Sequence, residues 1–141
     1  MRLFAVSDLH TDYDENKNWV RQLSRMEFVE DALILAGDIS DSEALIEDCF
    51  EHLASRFKCM FYVPGNHDLW VPRSGTENSL DRFQRILALT RSYGIHTERR
   101  TLGSTDIVPL FSWYDFSFGM PGKELMRSWM DFINCRWPEG L

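Results

Sequence analysis

The sequence predicts an α/β fold built on a parallel sheet, and three observations carry that expectation. Three short apolar runs, Leu3–Val6, Ala32–Ala36 and Cys59–Val63, each have the length of a buried strand. Segments of helical periodicity fill the gaps between them, which is the spacing of βαβ units. A polar cluster follows each apolar run directly.

The elements follow in order. Leu3–Val6 is the first strand. Asn16 to Met26 carries Trp19, Val20, Leu23 and Met26 on one helical face. Ala32–Ala36 is the second strand. Ser40 with Glu43 reads as a capping box, and the helix behind it buries Leu45, Cys49, Leu53 and Phe57. Cys59–Val63 is the third strand, stopped by Pro64-Gly65, and Val71 to Gly75 is a loop by composition. Leu80, Phe83 and Leu87 mark a further helix, closed by Tyr93-Gly94. Asp106 to Ser112 reads as an edge strand because it contains Pro109. Trp113 to Gly122 is an aromatic, Gly/Pro loop, and Leu125, Met126, Trp129, Met130 and Ile133 predict one last helix.

Composition bounds the function. The chain has 141 residues, one domain by length (residues 1–141), with 44% hydrophobic and 26% charged residues. Those proportions are those of a globular chain and exclude disorder as its main state. A net charge of -7 argues against nucleic acid as a partner. No run approaches the ~20 apolar residues of a membrane helix, and Leu3–Val6 is too short for a signal-peptide core. Cys49, Cys59 and Cys135 stand far apart with no C-x-x-C, which fits a reducing compartment and a cytoplasmic location.

Parallel neighbours end on one edge of their sheet, and ligands collect there. The three clusters at that edge are Asp8-Leu9-His10, Gly37-Asp38 and Gly65-Asn66-His67-Asp68. Alone, an Asp-x-His is usually a surface accident and a Gly-Asp is ordinary turn chemistry. Together and in order they supply two carboxylates, an imidazole, an amide oxygen and a second His–Asp pair. This set suits Mn, Fe or Zn. Asp8 and His10 are two apart, so both can turn toward one ion, while Gly37 and Gly65 let the backbone bend sharply.

These motifs resemble the first three motifs of the calcineurin-like metallophosphoesterases, and the resemblance covers about residues 1–137. Trp129-Met130-Asp131-Phe132 with Cys135-Arg136-Trp137-Pro138 is similar to a subgroup of that family with no assigned substrate. The resemblance implies a metallophosphoesterase-like β-sandwich flanked by helices and a hydrolase that uses two divalent metal ions on a phosphoester. Asp8 and His10 would ligate the first metal, Asp38 would bridge both, and Asn66 would ligate the second. His67 would sit near the scissile phosphate as a catalytic residue, with catalytic Asp68 orienting its ring.

The family pattern continues with a further metal-binding His and a Gly-His-x-His, which this chain lacks. Of its four histidines, His52 reads as solvated on a helix and His96 as a strand-edge residue. The expectation is therefore the N-terminal βαβαβ half of the domain, with three ligands missing and apolar strand faces that invite self-association. Two functional readings stand: metal-dependent hydrolysis of a phosphomonoester or diester, and a non-catalytic interaction module on the same fold. Asp12, Asp14 and Glu15 read as a solvated acidic loop, Asp41 as a helix-capping neighbour, and Arg99-Arg100 as surface. Trp113, Tyr114, Phe116 and Phe118 fit a substrate mouth and core-edge packing equally well.

Overall fold

The computed structural model describes residues 1–139, so Gly140 and Leu141 of the expected domain lie outside the described residues. The elements are β1 (Leu3–Val6), α1 (Asp14–Gln22), β2 (Ala32–Ala36), α2 (Glu43–Ala54), β3 (Cys59–Val63) and α3 (Ser79–Ser92). They continue with β4 (Arg100–Leu102), β5 (Thr105–Ile107), α4 (Lys123–Ser128) and α5 (Met130–Asn134). The α/β class, the parallel sheet and the bounds of its three strands are as the sequence predicts.

The sheet has the order β1-β2-β3 and is parallel throughout. Its register aligns Phe4, Leu33 and Met60 on one row and Val6, Leu35 and Tyr62 on another. Paired residues in a parallel ladder point to the same face. Both rows belong to the core, where they meet Val20 of α1, Ile46, Cys49, Phe50 and Leu53 of α2, and Ile86 of α3. All three helices thus cover one face. A sheet that grows in one direction through crossovers of one hand places its connecting helices this way. On the opposite face Leu3, Ala5 and Ala36 are exposed, while Phe61 is buried beside a hollow walled by Ile107 to Leu110.

Several boundaries differ from the sequence reading. The first helix begins at Asp14 and ends at Gln22, leaving Trp19 at 49% and Met26 at 78% exposure. It stops there because Leu23 turns extended, and the buried Arg56 takes up the carbonyls of Arg21 and Leu23 (both 2.8 Å). Ser40 does not cap α2; Ser42 holds the N-cap position. The Ser40 hydroxyl instead donates to Asp12 Oδ1 (2.6 Å) and accepts from the Ser42 N–H (2.9 Å).

The strand expected over Asp106 to Ser112 ends at Ile107, and among the described residues β5 pairs only with β4, in an antiparallel hairpin. Pro109 has no N–H to continue a ladder. The last helix is broken at Trp129, whose backbone is extended (φ -75°, ψ 126°). Gly94 closes α3 at φ 67°, as its position predicts. His96 forms an isolated parallel bridge to Phe61, which makes it the expected strand-edge residue. His52 is half-buried, with Nδ1 at 2.9 Å from its own helix carbonyl at Asp48.

Asp31 fastens the start of β2 to the start of β1. Its carboxylate accepts from Arg2 N–H (2.6 Å), Nε (2.9 Å) and Nη2 (2.6 Å). These bonds from Arg2 hold the Asp31 carboxyl below its ordinary value of 3.8. A depressed carboxyl contributes stability that is present above its unfolded pKa and lost as pH falls through the folded one. Asp31→Asn should therefore be less stable than the parent at pH 7. The difference should close as pH falls below 3.8, and urea unfolding at both extremes measures it. A gap that stays constant with pH contradicts the assignment.

Candidate metal centre

The loops after β1, β2 and β3 are laced together past the ends of their strands. The N–H groups of Asp8, His10 and Thr11 donate to the carbonyls of Gly37 (3.1 Å), Asp38 (3.0 Å) and Ile39 (2.8 Å). The third loop joins through the His67 N–H, which donates to Asp38 Oδ1 at 3.0 Å. The result brings one ligand atom each from Asp8, His10 and Asp38 within 4.8 Å of one another. Two carboxylates and an imidazole are the donor set of a borderline divalent cation, so the residues present fit such an ion.

The backbone marks the same three residues. Among the described residues, the non-glycine positions with positive φ are Asp8 (55°), His10 (43°), Asp38 (53°) and Phe116 (61°). Each such conformation costs a residue with a Cβ roughly 1–2 kcal/mol. Asp is among the residues that tolerate it best. The chain holds this strain at the three positions whose side chains converge.

Two glycines make the approach possible. A Cβ on Gly37 would stand 2.2 Å from Gly65 N, and one on Gly65 would stand 2.0 Å from Asp38 Oδ1. Gly37 also has φ 72°.

Asn66 and His67 lie on the same sheet edge but make different contacts. The Asn66 amide donates through Nδ2 to Asp131 Oδ1 at 2.8 Å. The His67 ring stacks on Trp70, with centroids 3.7 Å apart and planes at 28°. It also meets the His10 ring edge-on at 4.7 Å. His10, His67 and Trp70 share an open hollow with Asp12, Tyr13 and Asp41.

The expected pairing of Asp68 with the His67 ring is not formed. Asp68 is fully buried, and its Oδ1 accepts the N–H groups of Ile39 (2.8 Å) and Ser40 (3.2 Å). Its Oδ2 accepts from Asp38 N–H, Gly65 N–H and the Tyr62 hydroxyl, each at 2.9 Å. The four N–H donors come from the loops and the hydroxyl from β3, so this carboxylate braces the loops against the sheet and leaves the imidazole to Trp70. Burial pushes the Asp68 carboxyl up, and these donors pull against it. Burial and the neighbouring Asp68 drive the Tyr62 hydroxyl well above its ordinary value. Arg82 of α3 completes the brace, donating from Nε to the Asp68 carbonyl (2.5 Å) and from Nη2 to the Asp41 carbonyl (2.7 Å).

Sequence reasoning missed Arg82, and it named Asp131 only within the Trp129–Phe132 motif, without a role. Asp131 also accepts from the indole N–H groups of Trp70 (2.8 Å) and Trp129 (3.1 Å). Besides that motif, an acidic residue inside an apolar stretch is a signal that points to it. Trp113, Tyr114, Phe116 and Phe118 line an open apolar cleft of about 610 Å³, with Asp131 on its wall. An adjoining hollow connects Trp113, Tyr114 and Asp131 with Gly65 and Asn66.

The family profile described as Calcineurin-like phosphoesterase matches residues 1–132. The chain belongs to this family. It is 31% identical over 125 residues to the [Acyl-carrier-protein] phosphodiesterase PptH of Mycobacterium tuberculosis, covering 82% of this chain and 38% of that protein. It is also similar to the crystal structure of Phosphopantetheinyl Hydrolase (PptH) from the same organism. That likeness has a TM-score of 0.70 and 30% identity and covers 86% of this chain and 47% of that one. The chain thus spans less than half the length of these relatives. The family implies divalent metal cofactors, and the Asp8, His10 and Asp38 cluster is where this structure fits one. Among the described residues no helix is long and apolar enough to cross a membrane.

The glycine contacts generate a test. Gly65→Ala should displace the Asp38 carboxylate and lower Mn²⁺ affinity roughly 10–100-fold, the range for disturbing a ligand's support. Gly94→Ala is the control, since it also has positive φ but no atom within 4 Å of the added methyl. It should cost about 1 kcal/mol of stability and leave Mn²⁺ affinity unchanged by calorimetry.

Proposed function

We propose that this chain carries a phosphoester-hydrolysing centre. In this reading Asp8 and His10 would hold one divalent ion, Asp38 would bridge it to a second, and Asn66 would serve the second. Mn, Fe and Zn are the ions that the donor set suits. The observation that supports the reading most directly is the left-handed strain kept at Asp8, His10 and Asp38. A scaffold with no use for the cluster gains nothing from bearing it, which weighs against a purely non-catalytic module.

Divalent cations bound there supply Lewis acidity to phosphoryl oxygens and lower the pKa of water toward neutrality. The protein's own groups do the rest. His67 faces the hollow beside His10, from which it donates a proton to the departing oxygen. Its stack on Trp70 fixes the ring plane, and its N–H bond to Asp38 Oδ1 ties its backbone to the bridging carboxylate. The adjoining aromatic cleft offers an apolar wall to a leaving group larger than phosphate.

The names of the relatives suggest the first substrate to assay: the phosphodiester that joins a phosphopantetheine arm to an acyl-carrier protein. A phosphomonoester and an aryl diester belong beside it. Hydrolysis of none of them by the Mn²⁺-supplemented chain would overturn the reading.

Two substitutions separate the roles. Asp38→Ala should abolish metal binding and turnover together. His67→Ala should keep its metal content and lose roughly 10²–10⁴ in turnover on a poor leaving group, with a smaller loss on an activated aryl ester. Loss of metal in His67→Ala, or an equal defect on both esters, would rule out the proton-donor role.

A further inference from the structure

We propose that Asp131 is the positioning residue of the metal centre, an inference that rests on the reading of Asn66 as a ligand. Asp131 is buried, at 5% exposure, and arrives from α5 on a segment remote in sequence from the three loops. Its Oδ1 accepts Asn66 Nδ2 and Trp70 Nε1, both at 2.8 Å, and its Oδ2 accepts Trp129 Nε1 at 3.1 Å.

The chemistry of a primary amide gives these contacts their meaning. Only the oxygen of Asn66 can ligate a cation, and the two branches of the amide are nearly the same shape. An ionised carboxylate only accepts hydrogen bonds. Facing one branch of the amide, it selects the NH₂ there and leaves the oxygen as the other branch. Asp131 therefore sets the flip of Asn66. The same oxygen tethers the indole on which the His67 imidazole lies. One carboxylate thus orients a ligand and the platform of the proposed proton donor.

The segment that carries Asp131 is anchored independently. Cys135 N–H donates to the Asp131 carbonyl (2.8 Å) and Val71 N–H to the Asn134 carbonyl (2.9 Å). Arg136 donates to the carbonyls of Pro72 and Gly75, and its N–H to Ser79 Oγ (3.0 Å). Asp131→Asn keeps the shape of the side chain and these anchors, and removes only the acceptor-only character.

The test is Mn²⁺ calorimetry on the full chain, with spectra of the metal-free protein beside it. Asp131→Asn should lower Mn²⁺ affinity roughly 10–100-fold. In an Asn66→Ala background the same change should cost nothing more. Asn66→Asp should also weaken binding, because two carboxylates then face each other. Combining Asn66→Asp with Asp131→Asn should raise affinity above that of either single variant. A merely structural tie would not show this rescue. Without metal, Asp131→Asn should shift the indole N–H signals of Trp70 and Trp129 and the side-chain amide signals of Asn66.

Losses that multiply in the Asp131/Asn66 pair, or parental affinity in Asp131→Asn when Asn66→Ala is weakened, would overturn the inference. Parental affinity in Asn66→Ala itself would overturn the ligand reading beneath it, and the metal-free spectra would then still judge the hydrogen bonds. Should Asp131→Asn fail to fold, hydrogen exchange on the parent decides: unprotected Asn66 amide hydrogens would overturn the proposal.

Discussion

The Asp68 carboxylate holds the working edge of this protein together. It receives N–H groups from the loop after β2 and the loop after β3, and a hydroxyl from the end of β3 itself. A buried carboxylate needs that many donors to offset its desolvation. The demand runs both ways, because the loop N–H groups of residues 38–40 lie beyond the sheet ladder and need acceptors of their own. The loops and the carboxylate satisfy each other, and the side chains of Asp38 and His67 inherit their placement from that exchange.

Strain and clearance form the second layer of the same frame. Asp8, His10 and Asp38 sit in left-handed backbone because the loops continue the strand-to-strand hydrogen bonding while turning their side chains to one point. Gly37 and Gly65 let two of those loops touch backbone to backbone. Stabilisation for this comes from elsewhere, from the apolar rows beneath and from Arg82, whose buried guanidinium donates to the carbonyls of Asp68 and Asp41.

Local pattern made the strands legible. Leu3–Val6, Ala32–Ala36 and Cys59–Val63 are bounded by polar or Gly/Pro residues on their exit side, so their ends match the structure. The placing of the three clusters on one edge followed from parallel pairing alone. Helix ends were less legible, because they depend on partners remote in sequence: Arg56, two residues past the end of α2, binds carbonyls at the end of α1. The Asp68 contacts show the same limit. Adjacency in Asn66-His67-Asp68 suggested a His–Asp pair, yet the 3-10 turn over His67–Leu69 sends neighbouring side chains in different directions, one to Trp70 and one into the core. Asp131 was visible only as part of an aromatic-acidic pattern, since the contact that gives it meaning spans 65 residues.

That span divides the contacts of the site into two sets. The sheet and the frame around Asp68 use residues up to 68 and the helix that brings Arg82, so none of these hydrogen bonds draws on the later segment. The hydrogen bonds to Asn66 and Trp70 depend on residue 131. The amide of Asn66 and the indole under His67 are therefore oriented by a segment on which the frame around Asp68 does not depend.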